Sequence, residues 1–381
     1  MTQKTVAFFS GYYLPFLGGI ERYTDKLTEE LMNLGYRIVL VVSQHDESLP
    51  TKEIIDGRII YRLPSKNLVK QRYPILDKRN PLFKEMMAEL DAESIDMVIC
   101  NTRFQLTTLI GLSYAKRHQI PSLVLDHGSS HFSVGNKILD VFGAWYEHVL
   151  TIRVKSYHPD FYAVSERSAD WLKHFKIQAK GVIYNSVPAS LITDFAGKSY
   201  KDKADNQLFI TYAGRIIKEK GVELLLEAFQ AADFSDRIHL QIAGDGPDLD
   251  RLKTNYSAGN IHFLGKLNFE ETMSLMSQSD IFVYPSMYPE GLPTSILEAG
   301  LLGNAVIATD RGGTVEVINH PDLGIIIEEN VSSLQTALVD LVADSKERQG
   351  MQEQLQDRIL HHFTWRETAR VLQDIIEEKT R

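Results

Sequence analysis

Residues Tyr284–Ile318, YPSMYPEGLPTSILEAGLLGNAVIATDRGGTVEVI, decide the reading of this chain. The stretch continues an apolar run (Ile281-Phe282-Val283) and begins as the end of a strand. It passes a Pro/Gly-rich turn, enters a short apolar helix, and returns as a second strand, AVIAT. It closes on a glycine turn, Asp310 to Gly313. Strand, turn, helix and strand in this order are the unit of a parallel sheet. A loop that presents backbone N–H groups at a helix N-terminus favours an anion, because its donors and the helix dipole both point at it. Glu290 and Glu298 stand eight positions apart in the turn and the following helix. A carboxylate beside an anion site does not hold phosphate. It is suited to accept hydrogen bonds from vicinal hydroxyls, as on a ribose or a sugar ring. Hydroxyls and diphosphate together describe a nucleotide sugar. Ser295 and Glu298 also match the S-x-x-E capping box, in which Glu298 would only start a helix.

Upstream, Leu208–Gly214 reads as a strand, followed by Arg215-Ile216-Ile217-Lys218-Glu219-Lys220-Gly221 and a helix from Val222 to Ala232. This places cations at a strand's carboxyl end. Arg215 can grip phosphate oxygens bidentately and Lys220 can act as a point charge. Both would stabilise a departing nucleoside diphosphate, whose negative charge grows in the transition state. An ordinary charged surface loop is the other reading. The strand His239–Ala243 ends in the turn Gly244-Asp245-Gly246-Pro247. Asp248-Leu249-Asp250 spells D-x-D, but it opens a helix, so these aspartates read as N-terminal helix charges. No His/Cys/Asp cluster in the sequence suggests a metal.

The first half alternates strands and amphipathic helices in the same way. Val6–Phe9 is a strand, and Gly18-Gly19 closes its loop and opens a helix. Such a bare turn lets a phosphate approach, or simply permits a tight turn; no G-x-G-x-x-G follows the strand. Asn101-Thr102-Arg103 and Asp126-His127-Gly128 follow two further strands, where ligands of open α/β sheets bind. His127 can donate to a sugar hydroxyl or share its proton near neutral pH. Asp126 is a candidate to orient His127, or a strand-end cap. Asn101, Arg103 and Ser129 are candidate acceptor contacts. Asn67–Lys84 interleaves Lys70, Arg72, Lys78, Arg79 and Lys84 with Tyr73, Ile75, Leu82 and Phe83, which suits anionic lipid head groups, a diphosphate acceptor or a solvated loop. The apolar run Lys137–Val154 reads as a buried helix in preference to an acceptor surface.

The bulk properties bound these readings. With 381 residues, 44% hydrophobic and 24% charged, the chain fits two soluble α/β domains. A net charge of −9 disfavours general nucleic-acid binding. Cys100 is the single cysteine, which excludes an intrachain disulfide and a cysteine-built metal site. Met1–Lys4 leads straight into a strand and no apolar run is long enough to span a bilayer, so the expectation is a cytoplasmic protein, with peripheral contact at the inner face of the membrane through 67–84 as an option.

Glu290-Gly291-Leu292-Pro293 through Leu297-Glu298-Ala299 resembles the E-x7-E signature of the retaining GT-B glycosyltransferases of family 4. Gly303, Val306, Gly312-Gly313-Thr314 and Glu316 continue the pattern. The Gly18-Gly19 loop, the strand-end His127, the G-R-x-x-x-x-K-G spacing at Arg215 and Lys220, the Gly244 turn and the final Phe363-Thr364-Trp365 helix extend it along the whole chain. Ser186 departs from the family's V-I-x-N-G-V segment, which has glycine there. The resemblance implies two Rossmann-like domains facing a central cleft: 1–185 on the acceptor side, with a terminal helix 364–381 crossing back, and 186–363 binding the donor. It implies transfer of a hexose or N-acetylhexosamine from a nucleotide diphosphate sugar, UDP-type, with retention and without a metal or other cofactor. The acceptor would be a glycan, lipid-linked or protein-linked hydroxyl, in bacterial surface polysaccharide or glycoconjugate synthesis. By resemblance, Arg215 and Lys220 hold the leaving diphosphate and the glycines 18, 19 and 244 face it. Glu298 binds the ribose, Glu290 with Gly291, Leu292, Pro293 and Thr294 holds the sugar, and His127 supports the sugar from the first domain. A nucleotide-sugar epimerase and a non-catalytic nucleotide-sugar-binding subunit are the competing readings; the missing phosphate-loop fingerprint disfavours an NAD-linked oxidoreductase.

Overall fold

The computed structural model describes residues 3–68, 73–131, 137–201, 203–204, 206–288 and 291–381. The chain divides into two compact units, Met1–Asn185 with Trp365–Arg381, and Ser186–Thr364.

The first unit is built on a seven-stranded sheet, in the order β3-β4-β2-β1-β7-β8-β9. Its elements are β1 (Thr5–Phe9), α1 (Gly19–Asn33), β2 (Arg37–Ser43), β3 (Lys52–Ile55), β4 (Arg58–Leu63), β5 (Ser65–Leu68), β6 (Tyr73–Leu76), α2 (Pro81–Asp91), β7 (Met97–Asn101), α3 (Leu106–His118), β8 (Ser122–Asp126), α4 (Lys137–Lys155), β9 (Asp160–Ala163) and α5 (Glu166–Lys173). Only β3 runs antiparallel in this sheet, and β5 and β6 form a separate hairpin. The central strands are apolar without interruption because both faces are covered. Ala7, Phe9, Val39 and Val98 feed one core, while Val6, Phe8, Ile38 and Ile99 feed the other.

The second unit carries α6 (Leu191–Phe195), β10 (Leu208–Ala213), α7 (Val222–Ala231), β11 (Ile238–Ala243), α8 (Leu249–Asn255), β12 (Ile261–Gly265), α9 (Phe269–Ser277), β13 (Ile281–Tyr284), α10 (Thr294–Leu301), β14 (Ala305–Thr309), α11 (Thr314–Val317), β15 (Ile325–Ile327), α12 (Val331–Ala343) and α13 (Ser345–His362). Its six strands are all parallel, in the order β12-β11-β10-β13-β14-β15.

The last helix, α14 (Trp365–Lys379), belongs to the first unit. Trp365, Ala369, Leu372 and Ile376 recur at helical spacing and complete a core of that unit. Trp365 stands edge-on to Tyr23, and Glu377 takes hydrogen bonds from Lys4 and Tyr36.

Two expectations change. The helix over Lys137–Lys155 is not a buried one: Val141, Phe142, Trp145 and Ile152 are 64–70% exposed, and Val149 is partly so. Its buried side presents Glu147, Leu150, Thr151 and Val154 instead. Apolar content could not tell which face of this helix met the core. Of the basic and apolar run Asn67–Lys84, the side chains of 67–73 lie outside the described residues; Ile75, Lys78, Arg79, Leu82 and Lys84 are exposed. Among the described residues, no helix is long and apolar enough to cross a membrane.

Candidate active site

In the second unit, β10 pairs with β11 on one side and β13 on the other, so the strand order reverses there. The loops leaving β10 and β13 therefore diverge, which is where open α/β sheets bind ligands. Arg215 follows β10 and is exposed. Lys220 ends a 3-10 turn, Lys218–Lys220. Its Nζ donates to Tyr284 Oη at 3.4 Å and lies 5.6 and 6.0 Å from the ring centres of Tyr284 and Tyr288. The Met287 N–H donates to the Glu219 carbonyl at 2.8 Å, so the loop after β13 is tied to the loop after β10.

Gly244 has φ +149°, and a Cβ there would overlap the Gly214 carbonyl oxygen. This glycine lets the end of β11 lie against the loop after β10, an approach that any larger residue would block. Ile216 N–H donates to the Asp245 carbonyl at 2.9 Å across the same contact.

These loops border a cavity of about 530 Å³ lined by Arg215, Gly244, Asp245, Lys266, Thr272, Ser295 and Glu298, among others. Its size suits a small-molecule ligand. Larger hollows of about 790 and 830 Å³ elsewhere in this unit lie away from the strands' carboxyl ends, beside α13. The capping-box reading of Glu298 is overturned. Pro293 is the N-cap of α10 and makes no side-chain cap, which puts Ser295 in the first turn and Glu298 one turn further in. Glu298 lines the cavity with Arg215, so cation and carboxylate share one hollow. Leu292 and Pro293 are buried, Gly291 and Thr294 half-buried, and the Gly291 carbonyl accepts from Gly313 N–H at 2.6 Å. Glu290 lies outside the described residues. Asp248 precedes α8 and Asp250 stands in its first turn, with Arg251 beside Asp248 at 3.5 Å.

In the first unit the strand order reverses at β1, between β2 and β7. His127 stands just past β8 and its Nε2 is 3.2 Å from Asn101 Oδ1. Asn101 Nδ2 donates to Thr24 Oγ1 at 2.8 Å, and the Thr24 hydroxyl donates to the Ile20 carbonyl. This chain has one polarity. With its amide nitrogen committed to Thr24, Asn101 offers only its oxygen, so His127 carries its proton on Nε2 and leaves Nδ1 as an acceptor. Tyr23 stands edge-on to the imidazole at 4.8 Å. Burial pushes the His127 pKa down to about 3, so the ring is neutral in ordinary conditions.

Asp126 does not orient His127. Its two carboxylate oxygens each take a 2.9 Å bond from Arg103 Nη1, and Arg103 Nη2 reaches Glu147 Oε2 at 2.8 Å. All three side chains are buried, so Arg103 is corrected from an acceptor contact to a charge-paired core residue. Asn101 is likewise buried and bonds His127. Ser129 is half-buried after β8. Gly18 is the N-cap of α1, and its N–H is taken at 3.0 Å by Glu21 Oε2. An internal carboxylate thus meets the helix start at Gly18, while the space above Gly19 is open. Sequence reasoning missed Lys266 and Thr272 in the cavity, and Tyr284 against Lys220. Lys266 had a signal, a cation directly after a parallel strand; Thr272 and Tyr284 had none.

Residues 17–191 match the family model described as Glycosyltransferase Family 4, and residues 198–358 match that of Glycosyl transferases group 1. With these two models together spanning most of the chain, the protein belongs to the GT-B glycosyltransferases of the family 4 type, built of two Rossmann-like domains. An uncharacterized glycosyltransferase of Methanocaldococcus jannaschii is 26% identical over 99% of both chains. The phosphatidylinositol N-acetylglucosaminyltransferase gpi3 subunit of Schizosaccharomyces pombe is 21% identical over 94% of this chain and 77% of its own. Among solved structures, HepE of Anabaena in complex with UDP superposes with a TM-score of 0.72 at 16% identity, over 99% of this chain and 100% of that one.

Proposed function

We propose that this protein transfers a hexosyl or N-acetylhexosaminyl group from a UDP-type nucleotide sugar to an acceptor hydroxyl, with retention of configuration. The observation that carries the reading is the shared cavity of Arg215, Gly244 and Glu298 at the carboxyl ends of β10 and β11. Arg215 and Lys220 supply the positive charge that a leaving diphosphate needs, without calling on a metal. Glu298 accepts from the ribose hydroxyls. Glu290 is the residue for the sugar hydroxyls, as the E-x7-E spacing implies. His127 Nδ1 accepts a hydrogen bond from a sugar hydroxyl. Retention needs no protein nucleophile when the leaving phosphate takes the acceptor's proton on the face it departs from. The UDP complex of HepE supports the nucleotide, and the N-acetylglucosaminyl transfer for which the gpi3 subunit is named supports an N-acetylhexosamine.

The acceptor we propose is lipid-linked and met at a membrane surface. The exposed stripe Val141, Phe142, Trp145, Ile152 on α4, with exposed Arg153 beside it, suits insertion at the head-group level. The phosphatidylinositol named for the gpi3 subunit is an acceptor of that kind. The deciding experiment is turnover of a panel of UDP-sugars with lipid-linked acceptors by wild-type, Arg215→Ala and Glu298→Ala proteins. Removal of either side chain is expected to cut transfer by about 100-fold or more while the fold persists. Near-normal transfer in both variants would sink the reading.

A further inference from the structure

His131, His148 and His174 come from three separate places in the first unit: the loop after β8, the middle of α4, and the C-cap of α5. One ring nitrogen of each lies within 4.8 Å of the other two. Three atoms so placed share a point within about 2.8 Å of each, and small ring rotations close that to the ~2.1 Å of a zinc–imidazole bond. The Nε2 atoms of His148 and His174 are already 3.2 Å apart. Neighbouring ligands of a tetrahedral zinc ion stand at about 3.4 Å, the edge of a tetrahedron with ~2.1 Å bonds.

The cluster also has the support that metal-binding imidazoles use. His131 Nδ1 is 3.1 Å from Glu147 Oε2, so Nδ1–H donates to the carboxylate and Nε2 is left as the ligand atom. Glu147 is held from behind by Arg103, which also carries Asp126. Two carboxylates against one guanidinium leave a net negative charge beneath the three rings, and that favours a cation. Trp171 stacks on His174 at 4.8 Å, and the Phe175 ring stands nearly perpendicular to His131 and His174 and tilted against His148. An apolar shell of this kind limits the directions in which the rings can turn. Among the described residues this is the one group of three or more candidate ligands.

We propose that His131, His148 and His174 bind one Zn2+ ion, which clips the loop after β8 to α4 and α5. Three imidazoles suit zinc among the abundant divalent ions, whereas calcium and magnesium prefer oxygen. Three protein ligands leave a fourth position for water, on the side where His174 is exposed.

The test is calorimetric titration of ZnCl2 into the chelator-treated full-length protein. The expected result is one saturable site per chain, and a melting temperature raised by about 5–10 °C at a hundredfold excess over Kd. His148→Ala and His174→Ala should each lower the affinity at least 100-fold. Glu147→Gln should lower it about tenfold, as loss of an orienting partner does. His239→Ala, which breaks the His239–His262 pair of the second unit, should leave the site unchanged. Should His148→Ala fail to fold, His174→Ala decides, because that side chain is exposed. Absence of a saturable site, or a site of equal affinity in His174→Ala, overturns the proposal. Neither outcome bears on glycosyl transfer, which is read separately by turnover.

Discussion

His127 is the residue whose surroundings say most about what it can do. Its proton is placed on Nε2 by a chain of hydrogen bonds that ends at the Ile20 carbonyl, and burial keeps the ring neutral. A pKa of about 3, below the ordinary value of 6.5, means that the unfolded chain binds a proton that the folded one refuses. Its contribution to stability is therefore complete above about pH 6.5 and is lost as pH falls toward 3. Urea unfolding from pH 7 to pH 4 should show stability falling with acidity, with a shallower slope for His127→Gln; an identical slope would refute the buried neutral ring. In turnover, the wild-type pH–rate profile above pH 5 should show no limb that His127→Gln removes. At Gly244 the constraint is backbone geometry. Gly244→Ala must accept φ +149° and a clash with the Gly214 carbonyl, a cost of about 3 kcal/mol or more. The cavity should lose its UDP-dependent thermal shift with it, and a retained shift would count against the site.

At the scale of elements, α10 and α4 behaved differently under sequence reading. For α10 the turn chemistry was plain, yet two starts were compatible with the spacing of Ser295 and Glu298. The helix begins after Pro293, and that one register decides that Glu298 faces a cavity instead of capping an end. For α4 the composition was legible but the facing was not. Glu147 looks like a surface residue in sequence and is buried because Arg103 and His131 reach it, which turns Trp145 and Phe142 outward. Replacing Phe142, Trp145 and Ile152 with Ser should abolish co-sedimentation with anionic vesicles while leaving the melting temperature within a few degrees. Undiminished vesicle binding by this triple variant would remove the membrane from the proposal.

Among the described residues the molecule has two large sheets and a two-stranded hairpin, and α14 completes a core of the first unit. Trp365, Leu372 and Ile376 each bury a side chain worth about 1.5–3 kcal/mol, on a core that also holds Tyr23, Leu27 and Leu31. A chain stopped after Thr364 should therefore lose the unfolding transition of the first unit and keep that of the second, as read by scanning calorimetry. Two intact transitions would show that α14 is dispensable to the first unit.

Consecutive residues were enough for the α/β class, the alternation of strands and helices, the strand ends where Arg215, Lys220 and His127 would stand, and the helix that carries Glu298. Those features are local: apolar runs, glycine turns and cations directly after strands are written in consecutive residues. Tertiary structure alone decided the partners. His127 answers to Asn101 and not to its neighbour Asp126, Arg103 is interior, and ring nitrogens of three histidines up to 43 positions apart gather within 4.8 Å of one another. Such contacts depend on which loops converge at a sheet's edge and how each helix is rotated, and no spacing along the chain encodes either.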